Sequence, residues 1–529
     1  MTPAVDGFLD ARTFGTVEVV RLPAIVRGKV RMSAWPRVGE IREAVAARRQ
    51  TVVRATSEDA YLLARPRVDR DSLAPTDEMQ VLVVPAPDPR ELVEPDPAAA
   101  VHELMRLPLD QVCAFVDAVG GALADTTEAT ELYAATSFVG DRMHAAVADQ
   151  IRGLFDGGAL RRMLDAELGI TGARALDAWV AVSGDLLQGV SARMAMRDRD
   201  LQPPAASAGK PLLRAVPTTQ LHITAGNAPI VPVTSLLWAW STKGASVLKP
   251  AAEAVPLVTG IGAAVVSVEP SHPLARHTTL AYWRGGDARV EDVLLAERTF
   301  DRRLVWGTDD AIRAIGSRGD GTDTIKMRPR HAISLVGREA VESDLEGSAR
   351  LAAADSVVAD QQACMSSLLH LIEGGAADAD TYALALAGVL SRWDQRLPHR
   401  APDSMQGRLV GLRRGLLGTA QWHINGTWPR VSSAVVRLDR PFDLRRHPGG
   451  RLVLVRAVPD LAAAIPSLVT RDVSHVGVTP ARSLSELRDL LVSLGVDNVL
   501  PLGEAERVHA GRSHDGMRVL NRLVRWVNA

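Results

Sequence analysis

Cys364 sits in a polar turn, ADQQAC, directly ahead of an apolar run, SLLHLI. A structural cysteine belongs inside an apolar run. A cysteine at a turn has the partial access that a nucleophilic thiol needs. Three other segments carry comparable features. In HITAGNAPIVP (222–232), Asn227 stands between a strand end and a helix start. Its amide would either cap that helix or donate to a developing oxyanion. In ASVLKPAAEA (245–254), Lys249 closes a strand before Pro250. It is either a solvated end residue or a contact for a nucleotide ribose or phosphate. In RRLVWGTDDAIRAIG (302–316), Gly307 and Thr308 lie between an apolar strand and a helix. Gly307 permits close backbone approach, and free N–H groups at the helix start attract a phosphate. Asp309 and Asp310 would cap the same helix and repel an anion.

The elements that must hold these residues alternate. Strands are expected at 221–224, 245–249, 278–283, 302–306 and 331–336, with helices at 229–243, 254–266 and 290–298. A second unit has helices at 343–358, 378–393 and 483–495 and strands at 367–372 and 451–458. Such alternation predicts α/β architecture with parallel sheets covered on both faces, and ligand sites at the carboxyl ends of strands. Residues 1–95 read as short strands, with Pro85 to Pro97 as a linker, and 100–200 as helical. VTGIGAAVV (258–266) reads as helix packing rather than a phosphate loop, since no third glycine follows a strand. His222 and His370 read as structural histidines, and Cys113, near an apolar helical stripe, as core.

The chain has 529 residues, enough for two or three domains. Its net charge of −1 gives no footprint for nucleic acid. The excess of Arg over Lys reads as compositional bias. Two cysteines make no disulfide framework or metal spacing, so no metal is expected and a reducing, cytoplasmic setting fits. No basic-then-apolar leader and no run of about 18 apolar residues appears, so neither a signal peptide nor a membrane span is expected.

TAGNAP with its tryptophan-containing helix, the DQQAC turn and the closing HDGMRVLNRLVRWV (514–527) resemble the aldehyde dehydrogenase superfamily, in its fatty acyl-CoA reductase (LuxC) branch. The resemblance runs from about Leu212 to Val527. It implies an aldehyde dehydrogenase-like fold: an N-terminal region (1–97), an NAD(P)-binding domain (98–337), a catalytic domain (338–500) and a C-terminal segment (501–529) packing back on the cofactor or oligomer side. It implies Cys364 as nucleophile and Asn227 as oxyanion donor. Lys249 would lie at the adenosine ribose, and Gly307 and Thr308 by the pyrophosphate. Oxidising members carry a Glu base ahead of the cysteine. Here IKMRPRHAISLVG (325–337) holds no carboxylate, and His331, 33 residues before Cys364, is the nearest titratable replacement. A second family Glu, on the nicotinamide ribose, is missing from RRHPGGRLVLV (445–455).

NAD-preferring relatives place a Glu on the adenosine ribose where this chain has Ala252, with Glu253 one position later. Ala252 removes repulsion of a 2′-phosphate, so NADPH is the expected cofactor. The expected reaction is reduction of a fatty acyl thioester to an aldehyde through an acyl-cysteine. The acyl donor would be acyl-CoA or an acyl carrier protein, an acyl-protein synthetase or transferase a possible partner, and the assembly a homo-oligomer. The alternatives are an aldehyde-oxidising dehydrogenase and a non-catalytic acyl-carrying scaffold.

Overall fold

The computed structural model describes residues 10–47, 53–55, 59–68, 75–125, 149–182, 194, 197, 210–318, 321–397, 403–428 and 430–529. The alternation after Leu212 resolves into two seven-stranded sheets. The first orders Asp323–Met327, Arg302–Trp306, Thr219–Ile223, Ala245–Lys249 and Thr278–Leu280, all parallel. Its two central strands are buried at every residue, as expected for parallel strands covered on both faces. Helices Ile230–Ser241 and Val255–Val268 supply part of that cover. A Cβ on Gly262 would meet Ile25 Cγ1 at 2.5 Å, so this glycine of VTGIGAAVV serves helix packing.

The parallel sheet carries one antiparallel addition that the alternation did not foretell. The hairpin Ala24–Val26 and Lys29–Arg31 adds antiparallel to Thr278–Leu280 and covers what would be an open edge. Arg27 and Gly28 both take positive φ, the geometry of a tight hairpin turn. The strand expected over 278–283 ends at Leu280. The remaining N-terminal strands form a separate five-stranded sheet backed by helix Val38–Ala47. The run from Pro85 to Pro97 is not a plain linker. Pro89 and Pro97 each begin a helix, where the missing N–H costs nothing, capped by Asp88 and Asp96.

The second sheet orders Arg430–Leu438, Leu452–Val458, Ser367–Glu373, His331–Val336, Val473–Thr479 and Asn498–Pro501 in parallel, with Ala420–Thr427 antiparallel at one edge. Helices Leu345–Val357 and Ala376–Arg396 pack on one face, and Leu461–Leu468 and Ala481–Ser493 on the other. The chain end returns to the first sheet's side. Arg525–Asn528 pairs antiparallel with Leu212–Val216, and Leu520 N–H donates to Glu167 at 2.7 Å. Among the described residues no helix is long and apolar enough to cross a membrane.

Candidate functional site

Helix Leu345–Val357 delivers the chain into the turn that carries Cys364. Ala359, Asp360 and Gln361 there take φ of 43°, 50° and 62°. Three successive non-glycine residues in the left-handed region cost energy and persist only where their surroundings impose them. The constraint comes from a buried pair. Arg451 is 1% exposed and its Nε meets Asp360 Oδ1 at 2.8 Å. A second nitrogen of the same guanidinium reaches Asp394 Oδ1 at 3.0 Å and Leu397 O at 2.7 Å. Gly450 N–H donates to Asp360 O at 3.0 Å, and Gln361 Nε2 to Ser367 O at 3.0 Å. The RRHPGGR segment, singled out for its missing carboxylate, thus holds the turn that carries Cys364 in shape.

Cys364 is partly exposed and lies ahead of strand Ser367–Glu373. Burial pushes its thiol up to about 11, and Asp515 adds to the rise. Arg512, a backbone hydrogen bond and Arg330 act the other way. A second turn, from the end of Thr219–Ile223, faces it. Asn227 Nδ2 donates to Gln362 O at 2.7 Å, two residues before the cysteine. Asn227 does not cap the following helix, whose N-cap position is Pro229. Its amide instead joins the carboxyl ends of the first sheet to the turn that carries Cys364 in the second. Only one of its two hydrogens is used there.

Lys249 is not a solvated end residue. It is 9% exposed, and its Nζ lies 5.4 and 5.7 Å from the ring centroids of Tyr282 and Trp283. Burial lowers it to about 8, against the attraction of Glu291 and Glu253. Ala252 begins a single 3₁₀ turn and packs on the apolar cluster that includes Tyr282 and Val255. Glu253 is exposed and points the other way. A Cβ on Gly226 would meet Glu253 Oε2 at 2.6 Å and Ala251 Cβ at 2.9 Å. Gly307 has open space apart from Ala311 Cβ at 3.3 Å. Thr308, rather than Asp309 or Asp310, caps helix Asp309–Gly316, its hydroxyl accepting from Ala311 N–H at 3.3 Å, while Asp310 pairs with Arg313. The strand ends at Ile223 and Lys249, Gly226 with no room for a side chain, and the start of helix Asp309–Gly316 all lie at the carboxyl ends of the first sheet's strands, where parallel α/β sheets bind ligands.

His331 begins its strand, with its N–H on Asp472 O at 2.8 Å. Burial lowers its pKa, while Asp472 and Asp443 raise it. Arg330 acts on both groups, lowering His331 and the Cys364 thiol. His222 is buried between Ser235 Oγ and Gln220 Oε1, each at 2.9 Å. His370 is buried between Ser356 Oγ at 2.9 Å and Tyr382 Oη at 3.0 Å. Cys113 is partly buried against the first core cluster. These three are structural, as read from the sequence.

What sequence reasoning missed is the set Arg512, His514 and Asp515. The 325–337 segment offers no carboxylate, yet the charge of Asp515, far along the chain, adds to the upward push on the Cys364 thiol. The signal was present: Asp-Gly inside HDGM is a tight-turn dipeptide.

Comparison with known proteins agrees with this architecture. The acyl-CoA reductase (LuxC) family model matches residues 213–526. The long-chain acyl-protein thioester reductase 2 of Photobacterium leiognathi is 26% identical over 325 residues, covering 60% of this chain and 66% of that protein. The long-chain acyl-protein thioester reductase of Photorhabdus luminescens is 26% identical over 326 residues, covering 60% and 65%. The chain therefore spans just under two-thirds of these relatives' length. Among solved structures, the indole-3-acetaldehyde dehydrogenase AldA of P. syringae superposes with a TM-score of 0.64 at 13% identity, covering 96% of each chain. The NADP-dependent glyceraldehyde-3-phosphate dehydrogenase of Bacillus halodurans gives 0.64 at 14%, covering 88% and 95%. The fold is that of the aldehyde dehydrogenases, and with 213–526 matched the chain belongs to the acyl-CoA reductase (LuxC) family.

Proposed function

We propose that this protein reduces a long-chain acyl thioester to an aldehyde through an acyl group held on Cys364. The observation that supports the reading is Asn227 Nδ2 on Gln362 O, which brings a side-chain amide with one unused hydrogen beside the Cys364 turn. Cys364 Sγ attacks the thioester carbonyl, and the carrier thiolate leaves. The exchange of one thioester for another is nearly balanced, so the acyl-cysteine accumulates. Asn227 and the Cys364 backbone N–H stabilise the oxygen as it becomes an anion. A reduced nicotinamide cofactor, when bound, supplies the hydride. The chain then releases aldehyde as the bond to Sγ breaks. His331 is the proposed acid–base group, acting through solvent or substrate. The thiol carrier is coenzyme A or an acyl carrier protein, with an acyl-protein synthetase or transferase as upstream partner, and the working assembly is a cytoplasmic homo-oligomer.

Lys249, Gly307 and Thr308 would hold the dinucleotide, and the Ala252 register makes it NADPH. One observation favours NADH as a second reading. Glu253, not Ala252, turns its carboxylate over Gly226 at the strand ends, where it would accept from ribose hydroxyls and repel a 2′-phosphate.

The test is incubation with a long-chain acyl-CoA without cofactor, followed by peptide mass spectrometry. One acyl mass is expected, on Cys364. Label on Cys113, or full reductase activity in Cys364→Ala, refutes the proposal.

A further inference from the structure

Two runs of left-handed backbone face each other, one of them just ahead of Cys364. That run is Ala359, Asp360 and Gln361, none of them a glycine. The other is Gly449, Gly450 and Arg451, at φ of 74°, 74° and 56°. Glycine takes such values without steric cost, whereas alanine, aspartate and glutamine do not. The glycine run can therefore form by its own backbone preference, while the run before Cys364 must be imposed. Two hydrogen bonds join them: Gly450 N–H donates to Asp360 O at 3.0 Å and Arg451 Nε to Asp360 Oδ1 at 2.8 Å.

Arg451 is itself anchored from behind. Its Nη1 donates to Asp394 Oδ1 at 3.0 Å and to Leu397 O at 2.7 Å, so the guanidinium also closes the carboxyl end of helix Ala376–Arg396. Asp394 Oδ2 accepts from Ser433 Oγ at 2.6 Å, and Ser433 Oγ accepts from Asn425 Nδ2 at 2.9 Å. Ser433 is fully buried, and its single proton is committed to Asp394. Asn425 and Ser433 are cross-strand partners in the antiparallel pair Ala420–Thr427 and Arg430–Leu438, and Asn425 Nδ2 also donates to Ala387 O at 3.0 Å. A continuous chain of polar groups thus runs from the edge of the second sheet, past a helix end, to the backbone before Cys364.

We propose that Arg451 is a positioning residue for Cys364, and that Asp394, Ser433 and Asn425 hold it in that task. The inference rests on Cys364 being the nucleophile of the proposed reaction. Arg451 acts through Asp360 rather than on the thiol. Two carboxylates share one guanidinium, whose Nη2 is buried without a partner among the described residues. Such an arrangement adds little net stability, because desolvation offsets the attraction. Its effect is on conformation. The planar fork fixes the direction of Asp360, and Asp360 holds the left-handed run. A lysine at 451 would keep the charge, but one ammonium lacks the fork's fixed directions.

The experiment joins single-turnover acylation by a long-chain acyl-CoA with amide hydrogen exchange. Arg451→Lys should slow acylation of Cys364 by about tenfold to a hundredfold at unchanged half-saturation, because a small displacement of the nucleophile acts on the reaction and not on acyl binding. The amides of Gly450 and Gln362 should exchange about tenfold faster, since Gln362 N–H donates to Ala359 O at 3.0 Å within the turn. Adding Ala359→Gly to Arg451→Lys should restore acylation by about threefold to tenfold, because glycine enters the left-handed region unaided. General loss of structure would not be mended by a glycine. If Arg451→Lys does not fold, the isosteric Asp394→Asn decides: it leaves Arg451 its ion pair with Asp360 and should slow acylation by about threefold to tenfold, with the same rescue. Acylation within twofold of wild type in the folded variant, a raised half-saturation in place of a lowered rate, or no rescue by Ala359→Gly overturns the proposal. A wild-type protein that takes no acyl group would sink the proposed function, and exchange at Gly450 and Gln362 would then decide the positioning by itself.

Discussion

Replacing Asn227 separates an oxyanion donor from a structural tie. The residue is exposed, and its one hydrogen bond, to Gln362 O at 2.7 Å, crosses between the two large sheets. If the amide only ties the turns together, Asn227→Ala removes a single neutral hydrogen bond at an exposed site, costing about 1 kcal/mol of stability. If its second hydrogen faces the acyl oxygen, the variant also loses a preorganised donor, typically about 10²–10³ in rate, or roughly 3–4 kcal/mol of barrier. The two effects differ in size and in the quantity they move. Urea denaturation should give a small midpoint shift, and single-turnover acylation by acyl-CoA should slow by at least a hundredfold. KM for the acyl donor should change little, because the ground-state carbonyl gains less from the donor than the oxyanion does. Asn227→Asp keeps the size but sets a carboxylate against Gln362 O, and should be as slow and less stable. Acylation within tenfold of wild type in Asn227→Ala would falsify the oxyanion assignment and leave Asn227 as a tie between domains.

Cofactor preference is read by kcat/KM for NADPH and NADH. Glu253→Ala should raise the NADPH-to-NADH ratio about tenfold or more, the scale of one charge-assisted hydrogen bond; no change there, with a fall in Ala252→Glu, returns the discrimination to Ala252 and favours NADPH. Burial raises Asp355 to about 6, although Gly503 and Ala505 N–H groups donate to it at 2.8 and 3.0 Å. The native state then holds a proton that the unfolded chain has lost between about pH 4 and 6, so this group's contribution to stability falls as pH rises through that window, by about 3 kcal/mol in all. Asp355→Asn should remove this slope from the pH dependence of denaturation midpoints, and an unchanged slope refutes the assignment. Aldehyde oxidation to free acid should be poor beside thioester reduction, since 325–337 holds no carboxylate base. Rapid acid formation that Asp515→Asn abolishes would show instead that the C-terminal carboxylate deacylates the enzyme.

The sequence alone determined the alternating strands and helices from Leu212 onward, because near-continuous apolar strands and periodic helices are local patterns. It marked Cys364, Asn227 and Lys249 because each stands at the end of such an element, where a parallel sheet leaves side chains free. It also separated His222 and His370 as core residues by their apolar context. It did not predict the hairpin 24–31 closing the first sheet, since edge pairing depends on which strand is left open after folding. The charges around the thiol were equally out of reach. Asp515 and Arg512 lie about 150 residues from Cys364 in the chain, and proximity across that distance is fixed only by packing of the C-terminal turn on Trp238 and Trp306. The direction of Glu253 was likewise decided by packing. A 3₁₀ turn packs the partly buried Ala252 on apolar neighbours and leaves its charged successor facing Gly226. Local sequence sets which elements form and what they can carry. Which side chains share one electrostatic environment is a property of the assembled core, where burial strips water from charges brought together from distant segments.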